Sequence, residues 1–256
     1  MIKLHYTPGP KKVSKGSDKL APFLRELKQL ELPRDVNNPI YFFNNQFRTD
    51  EMKEILRRFG AVYHTGSEAR FNLAISQLKK YPDFLSPDSD NESQLWVSAV
   101  FVDNALILYQ SLFDLILQVS WMYYRIYSNF NTSKNNPQKL SISTDTIQAI
   151  LCRCTWANIL KYKNLFDDAY FDALNSFHDS VLYKRINELA NSSKHRQSIN
   201  YEEVAVDDQL LVKTNTYCST DTLLSEKLDD VIQSLKDYHN SIYDLIKLME
   251  ETHKLK

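Results

Sequence analysis

Between Glu92 and Asn129 apolar residues dominate, and the polar ones recur at a fixed interval, with Asn104, Ser111, Gln118 and Arg125 seven apart. Asp103, Gln110 and Asp114 fall beside them, so at about 100° per residue all seven share a sector of about 120°. A helix with so narrow a polar face is buried on most of its circumference. The pattern therefore predicts the central element of an all-α helical bundle.

Helical periodicity extends to other segments. Ser17 to Glu31 carries Leu20, Phe23, Leu24, Leu27 and Leu30 on one stripe, with Pro33 as a stop. Thr49 to Lys80 predicts a helix with Thr49 as N-cap, Glu51 in its first turn, Pro82 past its end, and Gly60 and Gly66 as candidate break points. Thr144 to Lys163 predicts another. Asn164 opens a further helix reaching to about Arg196, with Asp167 and Asp168 in its first turn. Asp221 to Lys256 closes the chain, with Leu224, Leu228, Val231, Ile232, Leu235, Tyr238, Ile242, Leu245 and Leu248 on one side. Residues 81–94 and 129–143 read as loops, and Pro39 to Phe43 as a strand or docked loop. Val204-Ala205-Val206 and Leu210-Leu211-Val212 flank Asp207-Asp208, which predicts a small β-hairpin. The expected architecture is a bundle of about five to six helices with that hairpin before the C-terminal helix. Residues 1–47 form an N-terminal extension packed on a helical domain at 48–256. No internal repeat is present.

Composition sharpens this picture. With 256 residues, 43% hydrophobic and 12% aromatic, the chain can bury a sizeable core. A net charge of −1 does not point to nucleic acid in bulk, so such binding needs a local basic patch. Only 4 glycines argue against a Gly-rich phosphate cradle. Cys152, Cys154 and Cys218 make no disulfide framework and fit a reducing compartment. The first sixteen residues lack the apolar core of a signal peptide. The charge-free runs inside Leu95 to Tyr127 reach only about ten residues, too short to span a bilayer. A soluble, cytoplasmic protein with no membrane span is expected.

Most chemical constellations fail on spacing. Cys152 and Cys154 sit about 200° apart on a helix, so both thiolates cannot face one zinc ion. Asp88-Ser89-Asp90-Asn91-Glu92 lacks the glycine and distal glutamate of a calcium loop and fits a helix cap better. Glu250–His253 is a lone Glu-x-x-His near the chain end, read as a solvated helix terminus. Neither a Walker loop nor a Gly-x-Ser-x-Gly elbow occurs. No cofactor or metal is expected. His64 has Glu68 one turn on, an ordinary surface pair, while His178 and His239 read as boundary or core-edge residues. Lys11, Lys12 and Lys15 read as a solvated tail, and Trp121, Tyr123, Tyr124 and Tyr127 as core.

One stretch remains, Ala190-Asn191-Ser192-Ser193-Lys194-His195-Arg196. If the helix from Asn164 runs straight, eighteen residues make five turns, so His195 projects with Phe177 and Asn191 with Ala173. Both polar side chains then point inward and, four apart, share one small site. Lys194 and Arg196 flank it. His195 could act as a general acid or base, and the cations could stabilise phosphorane charge. Cations at a helix C-terminus also simply complement the helix dipole, and from the residues alone that reading leads.

A helical bundle whose late helix ends in Asn-x-x-Lys-His resembles the HEPN superfamily of prokaryotic toxins, abortive-infection proteins and other defence systems. Asn191, Lys194 and His195 match its common Arg-Asn-x-x-Lys-His form, whereas Ala190 stands in the arginine slot. Arg185 lies ten residues before His195 and about 80° off its face. The resemblance implies a metal-independent endoribonuclease assembled as a homodimer, with Asn191 and His195 catalytic and Lys194, Arg196 and Arg185 handling RNA phosphate. With Ala190 in place of arginine it equally implies a weakened enzyme, or a non-catalytic member that binds RNA, an antitoxin or another partner protein. A helical scaffold module is the alternative from a different class.

Overall fold

Packing around one long apolar helix organises the fold. The computed structural model describes residues 17–29, 49–81, 84–86, 89–130, 141–143, 146–194, 199–204 and 225–253. Eight α-helices run through these residues: α1 (Ser17–Glu26), α2 (Asp50–Ile75), α3 (Asn91–Tyr123), α4 (Ile147–Leu151), α5 (Trp156–Lys161), α6 (Asp168–Asp179), α7 (Val181–Lys194) and α8 (Leu228–Thr252). The fold is a helical bundle, as the periodicity predicts. α3 is its centre, packed against α2, α7 and α8 and buried from Val97 to Met122. By length and composition α3 could cross a membrane. Its buried residues from Val97 to Met122 meet the other helices, Trp96 and Val100 stay exposed, and its polar strip is retained: Asn104 and Asp114 are exposed and Asp103, Gln110, Ser111 and Gln118 half-buried.

Caps set the helix starts. The Thr49 hydroxyl accepts the Met52 N–H at 3.3 Å, and the Asp90 carboxylate accepts that of Ser93 at 2.8 Å. α2 is not broken at Gly60 or Gly66. Each glycine costs about 1 kcal/mol of helix propensity. Burial of Phe59, Tyr63 and Leu73 against α3, at roughly 1.5–3 kcal/mol per large side chain, outweighs it. α2 ends at Ile75, short of the expected Lys80. There the Tyr81 hydroxyl lies 3.0 Å from the Ile75 and Ser76 carbonyls, and Ser98 Oγ donates to Ser76 O at 2.5 Å, so carbonyls at the helix end have side-chain partners.

Two expected helices are each split. In Thr144 to Lys163, Thr155 turns extended and caps α5 by accepting the Asn158 N–H at 3.3 Å, which separates α4 from α5. The helix expected from Asn164 to Arg196 breaks at Ser180, whose ψ of 146° is extended. Ser180 Oγ donates to Phe177 O at 2.7 Å and accepts the Tyr183 N–H at 3.0 Å, so one hydroxyl ends α6 and starts α7. Beyond α7, Asn200–Tyr201 pairs in parallel with Ser225–Glu226. The expected hairpin lies, after Val204, outside the described residues, as does Pro39 to Phe43. Of the N-terminal extension, α1 packs on α2.

The end of α8 departs from expectation. Glu250 and His253, read as a solvated terminus, are 4% and 2% exposed. The rings of Tyr123, Tyr124 and Tyr170 enclose His253, because the ends of α3 and α8 pack together beside α6. Its Nδ1–H donates to Met249 O at 2.8 Å, and Nε2 has no partner among the described residues. Burial pushes the His253 pKa down to about 4 from 6.5, and does the same to His239. The unfolded chain thus binds more protons between those values, so this stability is complete above pH 6.5 and lost as pH falls toward 4.

Ser180→Ala removes a shared cap and should lower unfolding free energy by ~1 kcal/mol in urea titrations. The melting temperature should fall between pH 6.5 and 4, and His253→Leu should keep about half of that decline, because His239 still titrates.

Candidate functional site

The sequence directs attention to the last turn of α7. The break at Ser180 removes the straight helix on which the inward projection of Asn191 and His195 depended, because α6 and α7 no longer share one phase. Ala190 is the residue that faces the core, at 0% exposure. Asn191 and Lys194 are exposed, on the edge of α7 that lies along the polar strip of α3. His195 and Arg196 lie outside the described residues.

Gln110 of α3 brings the described residues together. Its amide nitrogen donates to Asn187 Oδ1 at 2.6 Å and to Asn191 Oδ1 at 3.0 Å. Its carbonyl oxygen accepts from Lys194 Nζ. Both ends of one amide thus tie three α7 side chains to α3. Two turns earlier on α3, Asp103 Oδ1 accepts from Tyr201 Oη at 2.7 Å and Ser193 Oγ at 3.3 Å. Burial raises the Asp103 pKa, with the hydrogen bonds from Tyr201 and Ser193 opposing it. The Asp114 pKa is raised too, by desolvation of its carboxyl beside α7 although the residue as a whole is exposed, against the pull of Lys194. Among the described residues the seam is therefore amide-rich, with two carboxylates and one lysine, and is not basic.

Arg185 is elsewhere. Its Nη2 pairs with Glu226 Oε2 at 2.8 Å, which ties α7 to the short parallel ladder, and its Nε is buried without an acceptor among the described residues. It does not join Asn191 and Lys194. Periodicity exposed Asp103, Gln110 and Asp114 as a polar strip but not their partners. Asn187, Ser193 and Tyr201 carried no sequence signal as members of this seam.

The other tested residues separate cleanly. His64 and Glu68 form an exposed pair at 3.6 Å. His178 stacks on Trp156 with centroids 4.2 Å apart. His239 is buried, its Nδ1 accepting from Tyr109 Oη at 2.8 Å and its Nε2–H donating to Lys28 O at 2.8 Å. Burial pushes the Cys154 thiol up to about 12, which keeps it an unreactive packing residue. Compared with known proteins, the chain matches no family model, no curated protein and no solved structure.

The seam has a direct electrostatic test. Asp103→Asn keeps an oxygen acceptor for Tyr201 and Ser193 and removes a poorly solvated charge. It should raise stability by up to ~1 kcal/mol at pH 7, and the gain should vanish below about pH 4, where the native carboxyl is itself protonated. Thermal denaturation at the two pH values measures both.

Proposed function

We propose that this chain is a HEPN-like helical bundle of a prokaryotic defence or stress system that works as a non-catalytic binding module and not as an endoribonuclease. The observation that carries this reading is Ala190. It occupies the arginine slot of the resembled motif, and its side chain is fully buried in the core. A guanidinium at that position would lie among apolar side chains, away from the exposed edge that carries Asn191 and Lys194. Arg185 offers no substitute, since Glu226 neutralises it. Lys194 is bonded to Gln110 and feels the Asp114 carboxylate. These contacts favour a structural seam over a phosphoryl-transfer centre that needs free cations at the reacting group.

RNA binding without cleavage is the second reading. It is favoured by the placement of Asn191 and Lys194 side by side on an exposed edge, directly before His195 and Arg196 in the chain. In that reading Lys194 and Arg196 contact phosphate, and a second copy or an antitoxin-like protein completes the assembly.

Total RNA incubated with the protein and with His195→Ala should stay intact in both samples and in buffer alone. Cleavage by the native chain that is lost in His195→Ala would overturn the non-catalytic reading. Fluorescence anisotropy on labelled single-stranded RNA decides the second reading. Binding that weakens with salt, and about fivefold or more in Lys194→Ala, supports it, whereas no binding by the native chain rejects it.

A further inference from the structure

α1 buries less of itself than the longer helices of the bundle. Among residues 19–29 only Leu27 is fully buried; Leu20, Phe23 and Leu24 are half-buried. Pro22 lies inside the helix and removes one of its few main-chain donors. A helix of 10 residues is too short to hold itself in water. Open hollows adjoin it. One of about 610 Å³ lies between Phe23 and Leu78, Leu95 and Ile232, and another of about 480 Å³ between Ala21, Leu24 and Arg70.

Much of what fixes α1 grips the carbonyl groups at its C-terminal end. Arg70 of α2 donates through Nε to Leu27 O at 3.2 Å and through Nη2 to Leu24 O. His239 of α8 donates through Nε2–H to Lys28 O at 2.8 Å, and its Nδ1 accepts from the Tyr109 hydroxyl of α3 at 2.8 Å. Three core helices thus meet at one latch. Lys28–Asp244 and Lys236–Glu26 add exposed ion pairs at 2.6 and 3.3 Å, which contribute little.

We propose that α1 is a strap that detaches from the bundle while α2, α3 and α8 stay packed, with Arg70 and His239 as its latch. Opening frees the Arg70 guanidinium and one edge of the His239 ring to solvent, and it leaves the strap's cleft on the α2–α8 side vacant.

The latch is sensitive to acid. The groups facing His239 are the Tyr109 hydroxyl on α3, the Arg70 guanidinium on α2, the Lys28 ammonium and carbonyl after α1, and the Tyr243 ring on its own helix. Asp244 is paired to Lys28. A proton added at Nδ1 of the closed ring displaces the hydrogen bond that Tyr109 Oη donates there, and the charged ring faces two cations. Opening returns the Nε2 edge of the ring to water, which moves its pKa from about 4 toward its ordinary range near 6.5. Acidification from pH 7 to 5 therefore favours the open strap by up to about 20-fold.

Hydrogen–deuterium exchange on the full chain, expressed as protection factors corrected for intrinsic rates, tests this. At pH 7 the amides of Phe23 to Lys28 should be at least about 100-fold less protected than those of Leu106 to Ile116. Their protection should drop severalfold, up to about 20-fold, by pH 5 in the native chain and change little in His239→Gln, which keeps an N–H for Lys28 O but cannot titrate. Arg70→Ala should lower α1 protection about tenfold or more at both pH values and leave α3 unchanged. Equal protection of α1 and α3 would overturn the strap, as would an Arg70→Ala variant that exchanges like the native chain. A pH response that persists in His239→Gln would remove His239 from the latch.

Discussion

A helix of 33 residues with buried side chains spread around most of its circumference cannot stand at a surface, so its burial is the constraint from which the remaining arrangement follows. At about 25 cal/mol per Å² of apolar area removed from water, covering α3 is the largest favourable contribution any one element makes. α2 lies along it over the longest stretch, and α7 and α8 close other sides. The strip left over is polar, and it is not wasted on solvent alone. Gln118 receives Arg58 of α2 on one side and Gln110 receives α7 on the other, so the strip positions the helices that border it.

Helix ends in this fold are settled by side chains at specific places. Ser180 and Thr155 each divide what helical periodicity would continue. At the C-terminal end of α3, Arg125 adopts a positive φ of 52°, a left-handed conformation unfavourable for a side chain with a Cβ. It is held there by Glu51, whose carboxylate accepts from Nε and Nη2 of the guanidinium and from the Tyr127 hydroxyl. Burial alone would raise the Glu51 pKa, yet these hydrogen bonds and the Arg125 charge lower it. One carboxylate in the first turn of α2 thereby fixes the far end of α3.

The same logic frames the candidate site. An amide such as Gln110 can donate and accept at once, so it can tie Asn187, Asn191 and Lys194 without introducing charge. That suits a seam between two helices. Ala190 is small and apolar because its position is at the α7–core contact, and an exposed arginine would need a different helix phase. Catalytic phosphate chemistry asks for cations free to meet developing charge, whereas the described cations here are paired or bonded within the chain.

Much of the bundle was written in local patterns. The narrow polar sector of α3, the Thr49 cap and the apolar stripe of α8 each depend on residues within a few turns of one another, and such spacing survives any tertiary context. The break at Ser180 depends on a hydroxyl satisfying two backbone groups at once, while the flanking periodicity reads straight through it. The partnership of Gln110 with Asn191 spans 81 residues, and burial of His253 requires three tyrosines from other helices. Sequence alone therefore determined which faces are apolar and where several helices begin. Tertiary structure decided which polar groups meet and which histidines stay dry, because those outcomes depend on desolvation and on partners that only packing brings within reach.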